Sequence, residues 1–135
     1  MHKLISSLSV AFLGFIAWVI YLANTGQNSI FFELVRSIPY GDKVGHFCLF
    51  GLLTLGINFV FKLKSYSLIS CNIYVGSTVV FLLALVEELS QYYIPNRTLD
   101  AFDLLADILG IITFSLFTKL ISIPKPPQDA SFSWN

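Results

Sequence analysis

The sequence predicts an all-α fold: an integral membrane four-helix bundle with a polar cluster on its outer side. Three observations lead there. The 135 residues are 56% hydrophobic and only 12% charged, with a mean hydropathy of +0.76, far from the roughly 25% charged residues of soluble domains. The chain divides into four apolar runs of near-spanning length. Its ionisable residues crowd into the connections on one side rather than spreading along the chain. A water-soluble fold does not fit that composition, and the length gives one domain, 1–123, followed by a short polar tail, 124–135.

The first run, Leu4 to Ala23, offers about 20 helical residues at ~1.5 Å each, matching a hydrocarbon core of ~30 Å. Lys3 precedes it as in a signal peptide, but the run is long for such a segment, and Tyr21 and Asn24 spoil the nearby cleavage sites. It is read as a retained span. The second run goes from Val44 to Phe61 and stops at Lys62 and Lys64. The third is read from Tyr66 to Val86, where Glu87 and Glu88 interrupt it. The fourth covers Ala101 to Ile123, and Pro124, Pro126 and Pro127 end it because proline cannot continue the hydrogen-bond ladder. Between the first two runs, Phe31, Phe32, Leu34 and Val35 suggest a short interfacial turn in the headgroup region.

Orientation follows from lysine and arginine near the span ends. Lys3, Lys62, Lys64, Lys119 and Lys125 fall on one side, and Arg36, Lys43 and Arg97 on the other, so both termini are expected in the cytoplasm. Trp18, Tyr21, Tyr40, Tyr92 and Tyr93 then form an outer aromatic belt, with Tyr66 on the inner side.

Several classes drop out. Eight basic and eight acidic residues cancel, which recommends no nucleic-acid partner. With His2 and His46 the only histidines, no zinc spacing exists, and no glycine-rich phosphate loop is present. No metal or other cofactor is expected. Cys48 and Cys71 lie in apolar stretches and read as packing residues. The phenylalanines read as lipid-facing or core residues.

The polar residues sit in two segments. In the first, Asp42 suits the N-cap of the second span, and His46, four residues on, shares its face. In the second, Asp100, Asp103 and Asp107 fall within a ~60° arc of the fourth span. Asp107 lies several ångströms below the interface, where an unpaired aspartate is costly, so it must face the bundle, be paired or be neutral. Glu88 and Gln91 share a face of the third span, while Glu87 is turned ~100° away. One glutamate is expected inward and one toward the headgroups.

Because an even number of crossings returns the chain to its starting side, Asp42, Lys43, His46, Glu88, Gln91, Arg97, Asp100, Asp103 and Asp107 are expected to converge, and all of these but Asp100 are expected as ligand-binding residues. An ion-pair network that merely locks the helices is the plainer reading. The excess of carboxylates over Lys43, Arg97 and His46 favours a ligand, cation or proton site. Gly41 with Gly45, and Ala106 with Gly110, are small pairs four apart that permit close helix approach beside the polar stripe.

These residues resemble the VanZ-like family. Asp42-Lys43-Val44-Gly45-His46-Phe47-Cys48-Leu49-Phe50 fits its Asp-Lys-x-x-His-Phe-x-x-Phe pattern. Glu88 and Gln91, then Arg97, Asp103, and Asp107 to Gly110 fit the second motif, except that Asp107 stands where the family usually has asparagine. The resemblance spans residues 38–115 and selects Glu88 as the inward glutamate. It implies a multi-pass protein of the bacterial cytoplasmic membrane, in a family linked to resistance to the glycopeptide teicoplanin.

Three functions follow as expectations. The first is a cell-envelope protein that binds an anionic or phosphorylated membrane lipid, or a lipid-linked envelope precursor, in an outer cleft, with Lys43, His46 and Arg97 on the anion. The second is a membrane-embedded enzyme acting on a lipid phosphate, with His46 as general acid or base oriented by Asp42 or Glu88, or with metal assistance. Proton or cation passage is a third, and it would need a homo-oligomer, since four helices make a cramped pore.

Overall fold

A computed structural model of the chain describes residues 2–26, 30–95 and 97–122. The elements in order are α1 (His2–Asn24), α2 (Ile30–Ser37), α3 (Gly41–Val60), β1 (Ser65–Leu68), β2 (Cys71–Tyr74), α4 (Val75–Gln91) and α5 (Ala101–Ile121). Three of the helices, α1, α3 and α5, are long and apolar enough to cross a membrane. They correspond to the first, second and fourth apolar runs. The prolines after the fourth run, Lys125 and the polar tail lie outside the described residues.

The expected four-helix bundle is corrected in two places. The connection after α1 is a true helix, α2, rather than a turn. The third run does not begin as helix at Tyr66: residues 65–74 form an antiparallel hairpin with Ser65 opposite Tyr74 and Leu68 opposite Cys71. Its two-residue loop, Ile69 and Ser70, has positive φ at both positions (54° and 103°), the handedness that suits a tight hairpin. Alternation of Ser65, Tyr66, Ser67 and Leu68 is a strand period, which a count of apolar residues does not detect. What remains, α4, has 17 residues, about 25 Å at ~1.5 Å per residue.

The interior mixes buried polar with buried apolar side chains, and the outside is largely apolar, unlike that of a soluble protein. Thr54, Asn58, Glu88, Gln91, Asp107 and Thr118 are buried, while Leu105, Leu109, Ile112, Leu116 and Leu120 along α5 and Leu4, Leu8, Val10 and Trp18 along α1 are exposed. Such a surface is stable where hydrocarbon replaces water. In lipid, helix association rests on close packing and interhelical hydrogen bonds rather than on hydrophobic transfer.

The central helix is α3, which touches α1, α2, α4 and α5. Its polarity relative to its neighbours is fixed at both ends. At the hairpin end, Asn58 Nδ2 donates to Ser77 Oγ at 3.1 Å and to Thr118 Oγ1 at 3.5 Å, and Ser77 and Ser115 hydroxyls meet at 2.7 Å. This polar clasp joins α3, α4 and α5, and nothing in the spacing of its members announced it. At the same end Gly56 faces Ser9 and Gly76 lies against the Asn58 backbone. Hence α1 and α4 run antiparallel to α3, and α5 runs parallel to it. Between the two ends lies an apolar core of Ile16, Phe50, Leu53, Ile57, Val80, Ala84 and Ile111.

Of the small-residue pairs, Gly110 works as expected: a Cβ there would strike the Phe47 carbonyl oxygen. Gly41 faces the Val35 carbonyl of α2, whereas Gly45 has no neighbour within 4 Å of where its Cβ would sit. Both cysteines are exposed rather than packed. Phe50 is buried, Phe47 meets Phe114 edge-on at 6.2 Å, and Phe102 and Phe117 face outward. Trp18, Tyr21, Tyr40, Tyr92 and Tyr93 are exposed around the end opposite the hairpin.

Candidate functional site

Helix polarity brings the first turns of α3 and α5 and the last turn of α4 to one end. There Lys43 is the hub. Its ammonium donates to Asp42 Oδ2 at 2.9 Å, Asp100 Oδ2 at 3.0 Å and Asp103 Oδ1 at 2.9 Å. An ammonium has three donors, and here each has its own carboxylate. Asp42 is therefore not the N-cap: Tyr40 holds that place in left-handed geometry, and no side chain caps α3. Asp100 is the N-cap of α5, accepting from the Phe102 N–H at 2.9 Å. That N–H bond, aided by the Lys43 ammonium, holds the Asp100 carboxyl below its ordinary range.

Below the hub, His46 Nδ1 lies 2.9 Å from Asp107 Oδ1. Asp107 is fully buried, and its Oδ2 has no hydrogen-bond partner among the described residues. The buried aspartate thus faces the bundle and is paired, as the cost of its burial requires. Asp107, rather than Asp42 or Glu88, orients the imidazole. The other ring nitrogen, Nε2, is 3.8 Å from Asp103 Oδ2, and the ring stacks on Phe50 at 6.1 Å.

On α4 both glutamates are buried, which corrects the expectation that one reaches the headgroups. Glu88 Oε1 accepts from the Asp100 backbone N–H at 2.6 Å, tying α4 to the start of α5. Glu87 Oε1 accepts from Arg97 at 3.3 Å. Gln91 Nε2 bridges the pair, donating to Glu87 at 3.0 Å and to Glu88 at 3.2 Å.

These side chains border a cleft of about 420 Å³. Asp42, His46, Glu87, Gln91, Arg97 and Asp103 form its polar wall; Ile16, Val19 and Ile20 of α1 with Leu49 and Phe50 of α3 form an apolar wall. Phe32, Val35 and Arg36 of α2 also line it. Of the expected site residues, Asp42, His46, Gln91, Arg97 and Asp103 reach the cleft, while Lys43, Glu88 and Asp107 stand behind it and hold the others in place. Sequence reasoning missed Glu87 and Arg36 as lining residues. The signals were present: Glu87 is four residues from Gln91 on one helix face, and Arg36 is four from Phe32 on a helix with Glu33 in its first turn.

Arg36 makes no ion pair among the described residues, so its guanidinium is available to the cleft. Among those residues no three histidine, cysteine, aspartate or glutamate side chains are grouped to hold a metal ion.

The chain is 35% identical over 78 residues to an uncharacterized protein of the fission yeast Schizosaccharomyces pombe, an alignment covering 54% of this chain and 43% of that protein. It thus spans less than half the length of that relative. No solved structure matches it. The family described as VanZ/LLP1 matches residues 4–122, nearly all of the sequence. On that match, this chain belongs to the VanZ/LLP1 family.

Proposed function

We propose that the cleft receives the head group of a phosphate-bearing membrane amphiphile, a lipid or a lipid-linked envelope precursor. One observation carries the reading: a single cavity at one end of the bundle joins an apolar wall to a polar wall that includes two arginines. An acyl or prenyl chain suits the first and a phosphate the second, because a planar guanidinium matches phosphate oxygens in paired hydrogen bonds. Arg36 and Arg97 replace Lys43 as the anion contacts, since all three Lys43 donors are engaged. With α4 and its hairpin completing a fourth crossing, both termini lie in the cytoplasm and the cleft faces outward. The family resemblance adds to this reading a bacterial cytoplasmic membrane as host and a role in glycopeptide resistance.

Loss of a charge-assisted hydrogen bond costs about 1.5–3 kcal/mol, roughly ten- to hundredfold in affinity. Binding of undecaprenyl phosphate to the purified protein is therefore expected to weaken at least about tenfold in Arg97→Ala and again in Arg36→Ala. Unchanged binding in both variants contradicts the proposal.

A second reading rests on the imidazole. A buried carboxylate on Nδ1 with Nε2 at an open cleft is how a histidine is oriented as a general base. Turnover of the bound lipid phosphate, lost in His46→Ala while binding persists, selects the enzyme over the binding protein.

A further inference from the structure

We propose that the head group carries a protonated amine beside its phosphate, and that Asp42 and Asp103 receive the amine. This rests on the phosphate reading above and deepens it.

The argument starts from charge. Besides the exposed Glu33 of α2, six carboxylates gather around the Lys43 hub and the polar wall: Asp42, Glu87, Glu88, Asp100, Asp103 and Asp107. One ammonium serves Asp42, Asp100 and Asp103 together, the Arg97 guanidinium serves Glu87, and the His46 imidazole serves Asp107. Glu88 has only neutral donors, the Asp100 N–H and Gln91. Arg36 is the single further cation on the cleft. A ligand bringing negative charge alone would deepen an existing excess of acid. A ligand that also brings positive charge relieves it.

Geometry then places the amine. Asp103 is largely buried and spends Oδ1 on Lys43, while its Oδ2 has no hydrogen-bond partner among the described residues and lies 3.8 Å from His46 Nε2, beyond hydrogen-bond reach. Asp42 spends Oδ2 on Lys43 and keeps more than half of its side chain exposed. Both residues line the cleft with Arg36 and Arg97. A primary ammonium has three N–H donors and can serve Asp103 Oδ2 and Asp42 together. A trimethylated ammonium has none, so it offers the carboxylates its charge but no hydrogen bond. The cavity of about 420 Å³ lies within the ~300–1,000 Å³ of small-ligand sites and exceeds what a phosphate alone would fill.

The test uses full-length protein in detergent and four lipids with identical acyl chains: phosphatidylethanolamine, phosphatidylcholine, phosphatidic acid and diacylglycerol. Binding is read by native mass spectrometry. Phosphatidylethanolamine is expected to bind at least about tenfold tighter than phosphatidic acid or phosphatidylcholine, the order of one charge-assisted hydrogen bond. In Asp103→Asn its advantage over phosphatidic acid is expected to fall toward unity. Asp42→Asn, at a more exposed position, is expected to reduce the same ratio with a smaller effect on folding. Equal binding of phosphatidylethanolamine and phosphatidic acid, or of phosphatidylethanolamine and phosphatidylcholine, overturns the amine and leaves the phosphate reading standing. Phosphate lipids that bind no better than diacylglycerol overturn the phosphate reading itself.

Discussion

Replacing Lys43 by methionine is expected to destabilise the protein by about 3 kcal/mol, the low end of the ~3–5 kcal/mol lost when one partner of a buried ion pair is removed. The low end applies because the three carboxylates are not equally enclosed. The Asp42 side chain is 58% exposed and can rehydrate, whereas that of Asp103 is 13% exposed and rehydrates far less. Methionine keeps all but the terminal atom of the side chain's length, so the loss reports mainly the charge and not a cavity. Lys43→Arg should recover only part of it, because a planar fork cannot point donors at three carboxylates arranged around a point charge. Reversible unfolding in mixed detergent micelles, with helicity as the readout, measures both. A Lys43→Met protein as stable as the parent would show that the two short contacts to Asp100 and Asp103 do not hold α3 to α5.

The second large effect belongs to Gly110. A Cβ there meets the Phe47 carbonyl oxygen, backbone that cannot step aside without moving α3. Gly110→Leu is therefore expected to cost at least about 3 kcal/mol, the upper part of the usual range for overpacking, and to separate α3 from α5 at the middle of their contact. Gly14 supplies the control. Nothing lies within 4 Å of where its Cβ would be, so Gly14→Ala should leave stability unchanged or raise it by roughly 0.5–1 kcal/mol through helix propensity. Equal stability of Gly110→Leu and Gly14→Ala would contradict the close approach.

What could be read in the sequence depended on how local the signal was. The arc of Asp100, Asp103 and Asp107 is a matter of residue spacing on one helix, and in the structure Asp100 caps α5 while Asp103 and Asp107 point inward. The meeting of the segments around Lys43 and Asp103 followed from counting crossings. That argument survives a short α4, because α4 still runs antiparallel to α3 and α5 between the Asn58 clasp and the Glu88 tie. Partner choice was not local, and there the reading fell short. The sequence offers Asp42 or Glu88 as the carboxylate for His46, yet its partner is Asp107, 61 residues away. Residues 65–74 were counted as apolar when their alternation and turn mattered more. Arg36 serves in the sequence only to orient the chain: its spacing from Phe32 puts the two on one face of α2, but that spacing does not say that the face lies over a cleft.

The polar site exists only if the first turns of α3 and α5 lie side by side at one end of the bundle. Cross-linking tests this most directly, in a chain with Cys48 and Cys71 replaced by alanine and with His46→Cys and Asp107→Cys introduced together. Removing both members of the pair leaves no buried charge unmatched. A short bifunctional thiol reagent applied to native membranes is predicted to join positions 46 and 107 within one chain, and to leave 46 unjoined to 118 when Thr118→Cys is used instead. Efficient joining of 46 to 118, with none between 46 and 107, would contradict the parallel arrangement of α3 and α5 on which the cleft depends.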